Sequence, residues 1–209
     1  MLLAVSYASC YVYSPAGTDV ICERSRRLRT LLKSADAGFM HKYALRVRQQ
    51  AKDLPQLADF FGETTLLVPV PGNAAHSPGG IWPAELLAVA LVNEGLGRVA
   101  WTGLHRVRTV RKSATAAPGS RPTVDLHYRS FSFERPEELP KSIVLIDDVI
   151  TKGRTLFAAA NRIHEALPCI QIRAFALLRT MGLVSGVQRL LDPCQGEIRW
   201  ESGDARRIP

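Results

Sequence analysis

Two neighbouring acids at the end of an apolar run are the residues of this sequence best suited to chemistry. Asp147 and Asp148 follow the apolar residues 143–146, and a short loop, residues 151–155, comes soon after them. Backbone N–H groups of such a loop, freed by Gly153 and placed at a helix start, can converge on a phosphate. Carboxylates repel phosphate but suit the hydroxyl groups of a sugar, or its metal ion. The pattern therefore predicts a site for a sugar phosphate.

A buried strand and a helix must position these residues. Four consecutive apolar residues, 143–146, predict a strand buried on both faces, and residues 156–167 follow as a helical run. Ligands of open α/β sheets bind at the carboxyl ends of the strands, where both acids would lie. An ordinary strand–helix turn with an Asp N-cap would explain one acid and one Thr, but not both acids, both threonines and the Gly.

Strands and helices alternate along most of the chain. This order predicts an α/β fold of the doubly wound class, with a mainly parallel central sheet flanked by helices and a small hood or cap from the termini. We expect an N-terminal strand and basic helices at residues 1–63, a core at 64–180 and a tail or cap at 181–209. Strands are predicted at residues 2–13, 64–70, 98–102, 124–133 and 169–178.

Composition favours a soluble protein with an anionic partner. The 209 residues carry a net charge of +8, with a pI of about 9.7, which favours a polyphosphate ligand or nucleic acid. The helix predicted after Asp19 has a basic face that is either solvated or a nucleic-acid surface. Four widely spaced cysteines without a C-x-x-C pair predict a reduced, cytoplasmic setting. No apolar run approaches the roughly 18 residues of a membrane span.

The apolar strand, the acid pair and the Thr-x-Gly-x-Thr loop resemble the ribose-phosphate loop of the type I phosphoribosyltransferases. The resemblance implies that Asp147 and Asp148 hold the ribose hydroxyls of phosphoribosyl pyrophosphate. It also implies that the 5′-phosphate is bound by Thr151, Lys152, Gly153, Arg154 and Thr155. By the same resemblance, Pro71 and Gly72 belong to a pyrophosphate loop, and Mg²⁺ is the cofactor, with Asp147 and Asp148 as its protein ligands.

Within that family, the chain is most similar to the ComF-like group, which is linked with DNA uptake. Three segments carry this similarity: Val-Pro-Val-Pro at residues 68–71, Ala-Glu-Leu-Leu-Ala at 84–88 and Arg-x-Arg-x-Thr at 106–109. It covers residues 66–180. The group's cysteine-rich amino-terminal module is missing, Lys112 stands where Gln is common, and residues 72–97 contain no Lys or Arg.

A basic stretch could supply the positive charge that residues 72–97 lack. Residues 105–122 are predicted to form a long mobile loop with almost no apolar anchor. As a lid, this loop would bring catalytic cations, among them Arg106, Arg108 and Lys112, over the departing pyrophosphate. The alternative is a solvent-exposed linker whose charges serve solubility.

Two hypotheses of function follow. In the first, the protein is a magnesium-dependent phosphoribosyltransferase that transfers the phosphoribosyl group to an unidentified base or amine, with a nucleoside monophosphate as the other possible ligand. In the second, it is a non-catalytic regulator or an accessory in DNA processing that keeps the ribose-phosphate site and binds nucleic acid. Dimers are common among the relatives that this resemblance implies, which makes a homodimer possible, while the sequence itself leaves the oligomeric state open.

Overall fold

The computed structural model describes residues 1–75, 82–111, 121–182 and 186–209. Nine strands and six helices lie within these ranges. In chain order they are β1 (Ala4–Tyr13), α1 (Val20–Lys33), α2 (Ala37–Asp53), α3 (Pro55–Ala58), β2 (Thr65–Pro69), α4 (Pro83–Asn93), β3 (Val99–Ala100), β4 (Leu104–Arg106), α5 (Val124–Ser130), β5 (Phe131–Phe133), β6 (Ser142–Ile150), α6 (Arg154–Ala166), β7 (Gln171–Thr180), β8 (Leu191–Glu201) and β9 (Asp204–Ile208).

A seven-stranded sheet forms the centre of the fold. Its strand order is β3-β2-β6-β7-β1-β8-β9. The first five strands run parallel, and β8 and β9 extend the sheet antiparallel beyond β1. The carboxyl ends of the five parallel strands therefore meet at one edge of the sheet. There Pro69 of β2 pairs with Ile146 of β6, and Asp147 pairs with Ala176 of β7.

Helices cover both faces of this sheet. Along β6, Ile143 and Leu145 belong to the core under α5 and α6. Val144 and Ile146 point the other way, into the core formed with α1, α2 and α4. Both faces of β6 are thus buried, as its run of apolar residues predicts. The protein is an α/β fold with a mostly parallel central sheet flanked by helices, as expected from the sequence.

Capping and apolar spacing fix the two basic helices at the N-terminal side. Asp19 caps α1 by accepting a hydrogen bond from the N–H of Cys22, and Asp36 caps α2 by accepting one from Phe39. An N-cap carboxylate satisfies an N–H group that has no partner within the helix. Each helix buries one stripe of residues spaced three or four apart. The stripe includes Leu28 and Leu32 in α1, and Met40, Ala44, Val47 and Ala51 in α2.

Residues 124–133 were predicted as a strand, and most of that prediction is wrong. They form helix α5 followed by the short strand β5. Thr123 starts the helix by accepting a hydrogen bond from the N–H of Leu126, and Asp125 pairs with Arg129 one turn later. These local interactions offset the β propensity of this stretch.

The prediction of one long loop at residues 105–122 is also partly wrong. His105 and Arg106 belong to β4, which pairs antiparallel with β5. Residues 112–120 lie outside the described residues.

Both chain termini lie in the central sheet rather than in a separate hood. Strand β1 pairs with β7 on one side and β8 on the other, and β9 completes the edge. The weak periodicity of residues 181–209 reflects strands of mixed exposure at an edge, since only Ile198 is buried in β8 and only Ala205 in β9. No helix of the described chain is both long enough and apolar enough to cross a membrane.

Candidate functional site

The acid pair lies at the carboxyl end of β6, held by the neighbouring backbone. Oδ1 of Asp147 accepts a hydrogen bond from the N–H of Asp148 at 2.9 Å. Oδ1 of Asp148 accepts one from the N–H of Val149 at 2.8 Å. The two side chains differ in exposure, since Asp147 is partly exposed and Asp148 is only 6% exposed.

A small cavity opens beside Asp147. Its volume is about 50 Å³. Since one water needs roughly 10–15 Å³ of such space, the cavity suits a compact group such as a phosphate rather than a whole nucleotide. The structure brings all five predicted phosphate-loop residues to its wall beside Asp147. The lining residues are Arg121, Asp147, Val149, Ile150, Thr151, Lys152, Gly153, Arg154, Thr155 and Leu156.

The N-terminus of α6 faces this cavity without a side-chain cap. Its N-cap is Gly153, with φ of +85°, a residue that has no side chain to accept a hydrogen bond from the N–H groups of the first turn. The first intrahelical bond runs from the N–H of Phe157 to the carbonyl of Gly153 at 2.8 Å. Uncapped N–H groups and the positive end of the helix dipole favour an anion at this position.

The side chain of Arg154 turns away to the C-terminal strands. Its Nε donates to Oδ1 of Asp204 at 2.6 Å, and its Nη1 donates to the carbonyl of Pro122 at 3.1 Å. Lys152 lies 3.9 Å from Oδ2 of the same aspartate. The hydrogen bond from Arg154 lowers the pKa of Asp204. Arg154 can therefore contribute its backbone N–H to an anion, while its guanidinium supports the loop.

Burial and charge act together on the acid pair. The pKa of Asp147 lies well above its usual value, chiefly because the surrounding protein desolvates the carboxyl although the residue is partly exposed, and further because Asp148 is adjacent. Lys33 opposes this shift, since its ammonium group forms an ion pair with Oδ2 of Asp148. No local pattern in the sequence places Lys33 near the acid pair, because it lies 115 residues before Asp148, on the basic face of α1.

Arg106 does not belong to a mobile lid. The residue is 2% exposed. Its guanidinium donates to the carbonyls of Gly72 and Pro71 and to Oγ of Ser130, and lies 4.2 Å from the ring centre of Phe131. Burial lowers its pKa to about 10, although nearby Asp147 raises it. Arg106 therefore fixes the loop after β2 beside the acid pair.

Of the other predicted lid residues, Arg108 is exposed, and Lys112 lies outside the described residues. Between them the chain runs along the loop after β2: the N–H of Val110 donates to the carbonyl of Asn73 at 2.8 Å. Pro71 is buried and Gly72 is exposed, so the predicted pyrophosphate loop presents Gly72 to solvent.

The predicted magnesium ligands form only a partial site. The described ranges contain no group of three or more His, Cys, Asp or Glu residues able to hold a metal. Asp148 is paired with Lys33, which leaves Asp147 as the carboxylate on the cavity wall. One protein carboxylate fits Mg²⁺, which often keeps few protein ligands and takes the rest from substrate oxygens and water.

Two comparisons with known proteins found no match. No protein-family model matches the chain, and no curated protein is significantly similar to it.

Proposed function

We propose that this protein is a type I phosphoribosyltransferase, which binds phosphoribosyl pyrophosphate at the carboxyl end of β6. The observation that carries the proposal is the cavity that joins Asp147 to the loop of residues 151–155 at the uncapped start of α6. A carboxylate for sugar hydroxyls and free N–H groups for a phosphate lie on one wall. These are the two ends of a ribose 5-phosphate unit.

Each part of the site has a role in such a transfer. The loop N–H groups and the hydroxyls of Thr151 and Thr155 bind the 5′-phosphate, while Asp147 orients the ribose by accepting from its hydroxyls. The acceptor nitrogen forms a bond to C1 as the bond from C1 to the pyrophosphate oxygen breaks. Bound Mg²⁺, with Asp147 as its protein ligand, would supply positive charge to the leaving pyrophosphate.

The leaving pyrophosphate needs further cations. In the described residues the loop after β2 offers none of its own, and the guanidinium of Arg106 is committed to Pro71, Gly72 and Ser130. Arg121 lines the cavity, and Arg108 and Arg111 are exposed on the chain that runs past Asn73. We propose that these three arginines stabilise the negative charge of the leaving pyrophosphate, because preorganised cations help most where charge develops.

Calorimetric titration with phosphoribosyl pyrophosphate and Mg²⁺ tests the proposal. Wild-type protein is expected to bind, and Asp147→Asn and Thr151→Val each to weaken binding by about tenfold or more, the loss of roughly one hydrogen bond to a charged group. Asp53→Asn, an exposed aspartate on α2, is the matched control and should bind as wild type. Absence of binding by the wild type would refute the proposal. Binding without turnover, across a panel of nitrogen bases, would favour a regulator.

A second candidate, nucleic-acid binding, is favoured by the charge of α1 and α2. Residues 20–53 hold nine Lys or Arg and three Asp or Glu, within a chain of net charge +8. Arg24 and Arg27 are exposed, as are Lys42, Arg46 and Lys52. Cations concentrated on one helical layer favour a polyanion, with affinity that falls steeply as salt rises.

Charge reversal separates this candidate from the first. Arg24→Glu combined with Arg27→Glu should weaken binding of double-stranded DNA and reduce its salt dependence. Arg206→Glu, an exposed residue of β9 at the far edge of the sheet, serves as control. Equal binding by all three proteins, or none at low salt, would exclude the α1–α2 surface as a nucleic-acid site.

A further inference from the structure

Lys33 reaches the candidate site from an element that precedes it by more than a hundred residues. It is the last residue of α1 and forms an ion pair with Oδ2 of Asp148 on β6. The middle of α1 is fastened to the residues that follow β1. There Oγ of Ser25 accepts from the N–H of Ser14 at 3.0 Å, and Nη1 of Arg26 donates to the carbonyl of Gly17 at 2.9 Å.

The length of α1 matches the distance it has to cross. Strand β7 separates β1 from β6, so the two strands lie about 10 Å apart at the usual spacing. The seven residues from Arg26 to Lys33 advance a helix by about 10.5 Å. Because α1 contacts both β1 and β6, this anchor beside β1 leaves Lys33, at the end of the helix, next to the acid pair. The Lys33 side chain is 48% exposed, so a ligand can reach it.

An acid pair and a sugar phosphate repel each other unless a cation offsets the charge. Resting on the proposed function, we propose that Lys33 is a positioning residue of this site. It holds the Asp148 carboxylate in place and offsets one negative charge of the pair, so that an anionic sugar phosphate can bind beside Asp147. Lys33 thereby makes two neighbouring carboxylates compatible with a phosphate-bearing ligand.

Other charged groups near the pair do not replace Lys33. Arg106 faces Asp147 from β4 but is bonded to backbone carbonyls, and Arg154 is bonded to Asp204. Arg121 and Lys152 line the same cavity. Across residues 1–75, 82–111, 121–182 and 186–209, Lys33 is the cation that forms a direct ion pair with either acid.

Three variants of the full chain test this role. Lys33→Met removes the charge and keeps the stem, Lys33→Arg restores a cation, and Lys141→Met, at an exposed position before β6, is the control. At pH 7.5 we expect Lys33→Met to weaken binding of ribose 5-phosphate by about tenfold, the loss of roughly 1.4 kcal/mol of favourable charge interaction. Lys33→Arg should recover most of the affinity, and Lys141→Met should match the wild type.

Rescue by Lys33→Arg distinguishes a charge effect from a loss of structure. Weak ribose 5-phosphate binding by both Lys33→Met and Lys33→Arg would show a merely structural lysine and overturn the proposal. Tighter binding by Lys33→Met than by the wild type would overturn it as well.

A ligand-free measurement separates this proposal from the proposed function. Urea unfolding at pH 7.5 of the wild type, Lys33→Met, Asp148→Asn and the double variant gives the coupling free energy between Lys33 and Asp148. A favourable coupling supports the role of Lys33 even if the wild type fails to bind ribose 5-phosphate, in which case the proposed function alone fails. Losses that simply add overturn the role of Lys33 whatever the binding result.

Discussion

Arg154 and Asp204 form a two-point ion pair that joins the start of α6 to the start of β9. Nε of Arg154 lies 2.6 Å from Oδ1 of Asp204, and Nη2 contacts the second carboxylate oxygen. The same oxygen Oδ1 accepts from the N–H of Ala205 at 2.8 Å, which orients the carboxylate. The last two strands of the chain therefore hold the loop of residues 151–155 from outside.

Replacing Asp204 by Asn should destabilise the protein by about 1 kcal/mol at pH 7, the upper range for partly exposed ion pairs. The hydrogen bond from Arg154 lowers the pKa of Asp204 in the fold. A lowered folded pKa gives stability that is present above the unfolded value, about 3.9, and that is lost as the pH falls through the folded pKa. The free energies of unfolding of wild type and variant, measured with urea, should therefore differ at pH 7. They should begin to converge only when the pH falls below about 4.

A matched double variant checks that the loss belongs to this pair. Arg154→Met alone and Arg154→Met with Asp204→Asn should unfold at similar urea concentrations, because the second change removes an interaction already lost. A stability difference between wild type and Asp204→Asn that stays constant down to pH 2.5 would contradict the ion-pair explanation.

The sequence predicts those parts of the fold whose signals are local. The apolar run of β6, the glycine at 153 and the helical spacing of α6 lie within 25 residues, and the structure has this strand, turn and helix in that order. The sequence does not predict strands β8 and β9, because each has one buried residue and therefore no clear alternation of apolar and polar residues. Helix α5 was mistaken for a strand, because its Thr123 cap and Asp125–Arg129 pair are weak signals beside aromatic residues.

The candidate site shows the same division. Asp147 and the loop 151–155 could be predicted to adjoin, because a few residues of chain connect them. The contacts of Lys33 with Asp148 and of Arg154 with Asp204 join elements 115 and 50 residues apart. The order of strands in the sheet brings those elements together, and local sequence patterns do not predict that order.

Gly153 should not tolerate a side chain. Its φ is +85°, and an added Cβ would lie 2.7 Å from Cγ2 of Ile198. A left-handed conformation costs a non-glycine residue about 1–2 kcal/mol, and overpacking adds about 1–3 kcal/mol. We expect Gly153→Ala to lower the free energy of unfolding by about 2–5 kcal/mol, as measured by urea denaturation.

Two further variants divide that cost. Gly203 has a similar φ of +82° with no atom within 4 Å of an added Cβ, so Gly203→Ala should show the conformational cost alone, about 1–2 kcal/mol. Ile198→Ala removes all three atoms that would contact the added Cβ, so the double variant Gly153→Ala with Ile198→Ala should lose less stability than the sum of the two single losses. Equal losses for Gly153→Ala and Gly203→Ala would show that the contact with Ile198 contributes nothing.

His127 should make the fold sensitive to mild acid. This residue of α5 is 1% exposed, and neither ring nitrogen has a hydrogen-bond partner in the described structure. Burial, with Arg106 and Arg154 nearby, lowers its pKa to about 4. Because the unfolded chain binds this proton near pH 6.5, the fold should lose stability as the pH falls from about 6.5 to about 4, by up to about 3 kcal/mol.

His127→Leu should remove this loss, because the leucine has no proton to take up. Urea unfolding at pH 7.5 and pH 5 gives the comparison: the wild type should lose roughly 2 kcal/mol between the two, and the variant distinctly less. His41→Gln, whose side chain is 62% exposed, is the control and should keep most of the wild-type loss. If His127→Leu loses as much stability as the wild type on acidification, the imidazole is not held neutral in the fold, and the acid sensitivity must arise from other groups.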